Sequence, residues 1–219
     1  PWIGKSYNEA NRKLLIVGES HYKKADNDEE FEKIFKGATE DKEFTRKTIN
    51  ESPICREWPS NFFDNIHRVF LENNDFRKEL FWEQVAYYNF ITRLMDYRKK
   101  ERPMWNDFYN SWDTFIKLIK VIKPTDCVFI GVTATYSFDI AMKNLKIKYS
   151  PVKKLEKIGR VYARISKIEI DNYELNLTFI QHAYGRFSWS KWNAFLKKQN
   201  GELIDYLKNV VLDDKTVKY

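Results

Sequence analysis

The sequence predicts an α/β fold built on a parallel sheet, and three observations carry that prediction. Apolar runs close on a glycine twice, at Leu14-Leu-Ile-Val-Gly18 and at Cys127-Val-Phe-Ile-Gly131, as buried parallel strands do where they feed a loop. Amphipathic helical stretches lie between and after these runs, and repeated βα units favour a parallel sheet with right-handed crossovers. The 219 residues, 43% of them hydrophobic and 16% aromatic, suit one domain with a full core and exclude a disordered chain.

The elements follow in order. Residues 1–12 form a polar arm with turns at Gly4 and Asn8, packed on the body by Trp2, Ile3 and Tyr7. The first strand, 13–18, ends in a loop that carries Glu19, Ser20 and His21. Open α/β sheets bind ligands just past the carboxyl ends of their strands, so an acid, a hydroxyl and an imidazole stand where such folds place a site. The plainer alternative is that Glu19 and His21 only satisfy a turn.

Asp26-Asn-Asp28 caps a helix with Phe31, Ile34 and Phe35 on one face, and a second helix covers about 41–50. Pro53 and Pro59 interrupt the pattern around Cys55 and Trp58. Ser60 then caps a helix with Phe63, Ile66, Val69 and Phe70 inward and His67 at the surface or boundary; a short helix spans 75–82. The second sheet strand is Val85 to Ile91, ending near Asn89. The basic loop after it, with Arg93, Arg98, Lys99, Lys100 and Arg102 before Pro103, is either solvated or in contact with phosphates.

Trp112, Phe115, Leu118, Ile119 and Ile122 repeat at helical spacing and predict a helix over 105–122. The third strand, Cys127 to Gly131, leads into a helix with Thr133 or Thr135 near its start. Between Lys143 and Arg160 the single acid is Glu156, against Lys143, Lys146, Lys148, Lys153, Lys154, Lys157 and Arg160. Val161 to Ile170 and Tyr173 to Ile180 read as strands joined by an Asp171-Asn172 hairpin turn. The second of them ends in Gln181-His-Ala-Tyr-Gly-Arg-Phe-Ser-Trp189; helices at about 190–199 and 201–211, separated at Gly201, close the chain.

The net charge of +7, with 38 basic and 31 acidic residues, permits a nucleic-acid partner. Two cysteines supply no disulfide framework or cysteine metal site, and Cys127 reads as a core residue. No apolar run reaches transmembrane length, and the expectation is a protein without a signal peptide, in a cytoplasmic setting without membrane contact. Glu19, His21 and His182 lack the spacing of helical metal ligands, and neither metal nor cofactor is expected. Glu19, Asn89 and His182 thus mark three strand ends; carboxylate, amide and imidazole together suit water activation, base-edge recognition and charge stabilisation.

In this order the residues resemble the uracil-DNA glycosylase superfamily. Val17-Gly-Glu-Ser-His-Tyr22 looks like its first strand-end motif. Tyr88-Asn-Phe-Ile91 through Arg102-Pro103 looks like the strand that ends in Asn before a basic, Pro-containing stretch. Lys123-Pro-Thr-Asp-Cys-Val-Phe-Ile-Gly-Val-Thr-Ala134 is similar to a Lys-Pro element running into Gly and Ala, and Phe179-Ile-Gln-His-Ala-Tyr-Gly185 to the strand that ends in His and a minor-groove loop. The resemblance spans residues 13 to 200. It implies a three-layer α/β/α sandwich around a mostly parallel sheet of four to five strands. It also implies a monomeric DNA glycosylase that acts on double- or single-stranded DNA, in repair or in defence against phage with modified DNA.

The resemblance also implies roles. Glu19 and His182 would be catalytic, Glu19 on the attacking water and His182 on the departing base. Gly18, Ser20, His21, Tyr22 and Asn89 would line the base pocket, and Phe62, Phe63 or Tyr88 would stack on the base. Tyr184, Arg186 and Phe187 would form the wedge, and Arg98, Lys153 and Lys154 would hold phosphates. The chain departs from the family at His182-Ala-Tyr, usually His-Pro-Ser; at His21, usually Pro; and at Ser20, an Asp in some members. Members with Gly-Glu usually carry an iron–sulfur cluster on four cysteines, which two cysteines cannot hold. A cluster-free branch with a substrate other than uracil is the expectation, with the departures at the Pro and Ser positions opening the pocket to a bulky modified pyrimidine, alongside two alternatives: a non-catalytic nucleic-acid-binding relative, or an unrelated Glu/His hydrolase, of which a Ser20/His182 esterase would be one version.

Overall fold

Strand pairing sets the position of every functional residue. In the computed structural model, which describes residues 1–23 and 25–212, the strands are β1 (Trp2–Ile3), β2 (Leu14–Lys23), β3 (Ala86–Asp96), β4 (Asp126–Ile130), β5 (Lys148–Ile158), β6 (Val161–Ile170) and β7 (Tyr173–Ile180). Among the described residues these form one sheet in the order β1-β3-β2-β4-β7-β6-β5. The four central strands, β3, β2, β4 and β7, run parallel. β1 pairs antiparallel on one side, and β6 and β5 do so on the other.

The fold is therefore α/β, but the sheet is mixed and seven-stranded rather than mostly parallel with four or five strands. The extra strands are hard to see in the sequence for physical reasons. β1 is two residues long, and β5 is an edge strand exposed along most of its length, so its lysines mask any apolar alternation. Lysine along an edge also discourages pairing with a second sheet.

The seven α-helices of the described residues are α1 (Asp28–Glu40), α2 (Phe44–Ile49), α3 (Asn61–Leu71), α4 (Lys78–Gln84), α5 (Trp105–Ile122), α6 (Thr135–Asn144) and α7 (Trp189–Leu212). Side chains alternate across a strand, and β2 shows the consequence. Leu14 and Ile16 enter a core with Ile66, Phe70, Trp82, Trp192 and Leu207 from α3, α4 and α7. Leu15 and Val17 enter the opposite core, with Trp112, Phe115 and Phe138 from α5 and α6. Both faces of the sheet are thus covered by helices. None of the helices is long and apolar enough to cross a membrane.

Local chemistry explains most boundaries. Asn27 accepts a hydrogen bond from the Glu30 N–H at 2.8 Å and caps α1. A π-helical turn, Asn50–Ile54, contains Pro53, whose missing N–H suits the broken ladder. Asp171 and Asn172, at φ of 49° and 64°, make the two-residue turn between β6 and β7, in the left-handed pattern that matches strand twist. The break in α7 falls at Asn200, whose side chain is tied to Arg12 and Asp126.

Two strand ends and one histidine differ from expectation. β2 does not stop at Gly18; Glu19 to Lys23 continue the strand, with a bulge between Ser20 and His21. β3 runs on to Asp96, so Asn89 lies inside the strand and Arg93 is on it rather than in a loop. His67 is fully buried. Trp82 Nε1 donates to its Nε2 at 3.1 Å, which leaves the proton on Nδ1 to donate to Asn74 Oδ1 at 3.0 Å. Burial, with the Lys78 charge, pushes the pKa of this histidine down to about 3.

Candidate active site at the carboxyl rim of the parallel strands

Gly18 lets two side chains meet on its face of the sheet. It pairs with Asn89 across β2 and β3, and the Tyr87 hydroxyl donates to Asn89 Oδ1 at 2.8 Å. A Cβ at residue 18 would lie 2.1 Å from Asn89 Oδ1 and 2.3 Å from the Tyr87 oxygen, so any larger residue would displace this pair. Burial holds the Tyr87 phenol far above its ordinary pKa, and the hydroxyl therefore stays a donor. The Asn89 carbonyl oxygen accepts this bond, in which the amide Nδ2 takes no part. No acceptor for Nδ2 is found among the described residues.

Glu19 points to the other face of the strand. It lies against the end of β4, where a Cβ on Gly131 would come within 3.3 Å of Glu19 Oε2. A cavity of about 10 Å³, lined by Val17, Phe90, Phe108, Phe129 and Ala134, adjoins it; that volume holds about one water. Desolvation in this apolar setting raises the pKa of Glu19, while the Thr133 side chain and the Arg102 charge oppose the rise.

His182 reaches the same rim from β7. Val17 pairs with Phe129, Phe129 with Phe179, and Ile130 with Ile180, so Glu19, still within β2, stands level with Gly131 and Gln181, the residues just past the ends of β4 and β7, and His182 is one residue further on. The imidazole lies 5.1 Å from the Phe62 ring, tilted by 36°. Burial and the Arg102 charge lower its pKa to about 4, which leaves it neutral near pH 7 with one N–H to donate. The loop beyond is fixed: Asn65 donates to the Ala183 carbonyl at 3.0 Å, and the Tyr184 N–H to the His182 carbonyl at 2.8 Å.

Arg102, which the sequence places in a basic loop, belongs to this rim as well. It donates to the Tyr22 hydroxyl at 3.2 Å, its guanidinium sits 5.7 Å from the Tyr22 ring centre, and its charge acts on both Glu19 and His182. The one available signal was its place directly before Pro103. Tyr87 was missed for another reason: its role arises from a contact across a glycine on the next strand.

The remaining site residues sort into those at the rim and those elsewhere. Of the three stacking candidates, Phe63 and Tyr88 are core residues and Phe62 is at the rim. Ser20 is on the strand with a buried hydroxyl that has no hydrogen-bond partner, so it forms no nucleophile–base pair with His182. His21, expected in the base pocket, follows the bulge and packs against α2 instead, with its ring 4.7 Å from Phe44 and its Nε2 3.2 Å from Thr45 Oγ1.

Phe187, expected in the wedge, is buried and stacks parallel to Trp192 at 6.4 Å, whereas Tyr184 and Arg186 are exposed. Arg98, expected on a phosphate, is neutralised by Asp28 at 2.5 Å and Asp96 at 3.1 Å. Arg93 is likewise held by Asp107 at 2.8 Å and Glu101 at 2.5 Å. Lys153 and Lys154 are exposed on β5. Among the described residues no group of three or more His, Cys, Asp or Glu side chains comes together that could hold a metal. No protein-family model matches the chain, and no curated protein matches its sequence.

Proposed function

We propose that the protein is a DNA glycosylase of the uracil-DNA glycosylase type, which flips out a damaged or modified pyrimidine and hydrolyses its N-glycosidic bond. One observation carries the reading. A desolvated carboxyl group, Glu19 on β2 beside the end of β4, and a neutral imidazole, His182 just past the end of β7, share one rim of the sheet under the common charge of Arg102. Helical layers on both faces of four central parallel strands support the reading at the level of an α/β fold; the antiparallel strands β1, β5 and β6 depart from the family's sheet.

The chemistry follows from these groups. The flipped nucleotide leaves the stack at the expense of unpairing and unstacking. Ionised Glu19, with its raised basicity, orients or deprotonates a water for attack at the sugar C1′ and balances positive charge developing on the sugar. The C1′–N bond breaks and its electron pair leaves with the base. Neutral His182 donates its N–H to the negative charge growing on the base, as a neutral imidazole electrophile can. Asn89 offers an amide donor, which suits a base with a carbonyl acceptor at that edge.

Phe62 stacks on the base, and Tyr184 with Arg186 enters the vacated space. Lys153 and Lys154 neutralise phosphates of double- or single-stranded DNA. The protein acts as a cytoplasmic monomer without a cofactor, in repair or in defence against phage with modified DNA. Incubation with DNAs that carry uracil, hypoxanthine, hydroxymethylated cytosine or glucosylated cytosine, followed by chromatography of the free bases, tests the reading. Release of a base that carries a carbonyl at the recognised edge is expected. Salt-sensitive binding with no base released from any of them would leave a binding protein and refute the chemistry.

A further inference from the structure

Arg164 is a buried cation that lacks an anion. It lies on β6, is only 7% exposed, and points to the first turn of α6. One guanidinium nitrogen donates to the Val132 carbonyl at 3.3 Å and to the Thr135 hydroxyl; the other donates to the Tyr136 hydroxyl at 3.1 Å. Its Nε is buried without a partner. No carboxylate among the described residues lies within ion-pair distance of it. Burying a charge with only neutral partners is costly.

Two further observations make the local field more positive. The N-terminal end of a helix carries partial positive charge, and Arg164 meets α6, ten residues long, at that end. Lys154 on β5 stands directly opposite Arg164 in the antiparallel ladder, and like charges in directly opposed positions repel. Two cations and a positive helix end converge where no acid answers them. The Tyr136 hydroxyl accepts from Arg164 and so keeps its own proton to donate; the residue is 63% exposed, which leaves the place open to solvent.

We propose that Arg164, Lys154 and Tyr136 form a phosphate-binding site at the start of α6, which holds a backbone phosphate of the DNA strand entering the rim. A guanidinium fork beside an ammonium group suits a tetrahedral oxyanion. The Thr135 and Tyr136 N–H groups already bond back to Val132 and Thr133 at 3.2 and 3.1 Å, so side chains rather than amides make the site. Val132 follows Gly131, where a Cβ would lie 3.3 Å from Glu19 Oε2, and a phosphate held here lies one loop away from the candidate active site. The assignment to DNA rests on the glycosylase reading; the need for an oxyanion does not.

The test compares the wild type with Lys154→Ala, Tyr136→Phe and Arg164→Met. Lys148→Ala serves as the charge-matched control, because Lys148 is already paired with Glu169 at 2.6 Å. Inorganic phosphate at constant ionic strength is expected to raise the Tm of the wild type and of Lys148→Ala, less that of Lys154→Ala and Tyr136→Phe, and not that of Arg164→Met. The slope of log affinity against log salt for a DNA oligonucleotide should fall in Lys154→Ala by about one phosphate, ~0.9 for a duplex or ~0.7 for a single strand.

A lost phosphate response with an unchanged DNA slope would overturn the backbone phosphate as ligand and assign the site to a free phosphate compound. A wild-type Tm indifferent to phosphate, with Lys154→Ala and Lys148→Ala alike in slope, would overturn the site altogether. If Arg164→Met does not fold, the two exposed positions still decide the matter. Neither readout uses base release, so failure of this site and failure of the glycosylase reading are seen separately.

Discussion

A single methyl group at Gly18 would strike both Asn89 and Tyr87. Gly18→Ala is expected to destabilise the fold by about 1–3 kcal/mol, as overpacking does, and to remove base release; denaturant melts and a release assay read the two effects. Tyr87→Phe is gentler. It removes one buried hydrogen bond, worth about 1 kcal/mol, and frees the Asn89 amide to turn over. The expected signature is weaker discrimination between bases with a carbonyl and bases with an amino group at the recognised edge, measured as a ratio of release rates.

Glu19 has the opposite sign for stability. Its pKa is raised by burial, so the folded protein holds this proton more tightly than the unfolded chain does. The favourable contribution is present below the ordinary carboxylate range and is lost as pH rises through the raised value. Glu19→Gln should therefore raise Tm near pH 7, with little change in acid, while it abolishes release. The apolar run up to Gly18 marked β2 and the run up to Ile180 marked β7, although β2 continues past Gly18. Tyr87 and Arg102 were not legible, because their places depend on neighbours on other strands.

At the level of elements, long periodic segments were legible and edges were not. The helix over 105–122 and the hairpin at Asp171-Asn172 stand where their patterns put them. β2 ran past Gly18 because pairing with β3 continues through Lys23, a non-local contact that no local propensity encodes. β5 was hidden by its lysines. The hairpin gives a direct test: Asn172 sits at φ 64°, where a β-branched residue is strained. Asn172→Val is expected to lower stability by about 1–2 kcal/mol, and Asn172→Gly to be tolerated, by chemical denaturation.

Taken as a whole, the molecule keeps His67, fully buried, and His182, half-buried, neutral near pH 7. His67 titrates near 3 and His182 near 4, both below the ordinary 6.5. The unfolded chain therefore binds these protons first as pH falls. Stability from this source is complete above about 6.5 and is lost as pH drops from there through about 4 to 3. Tm should fall across that window, and His67→Gln should remove part of the fall.

The central claim is that Glu19 and His182 together break a glycosidic bond. The most direct measurement is alkali-induced strand cleavage of the DNA that the protein accepts, with wild type, Glu19→Gln and His182→Ala compared at equal bound fraction. The account predicts cleavage at the modified base by the wild type, and a loss of about a hundredfold or more with either variant while both remain folded. Cleavage at the wild-type rate by both folded variants, or none by the wild type on any modified DNA, would contradict it.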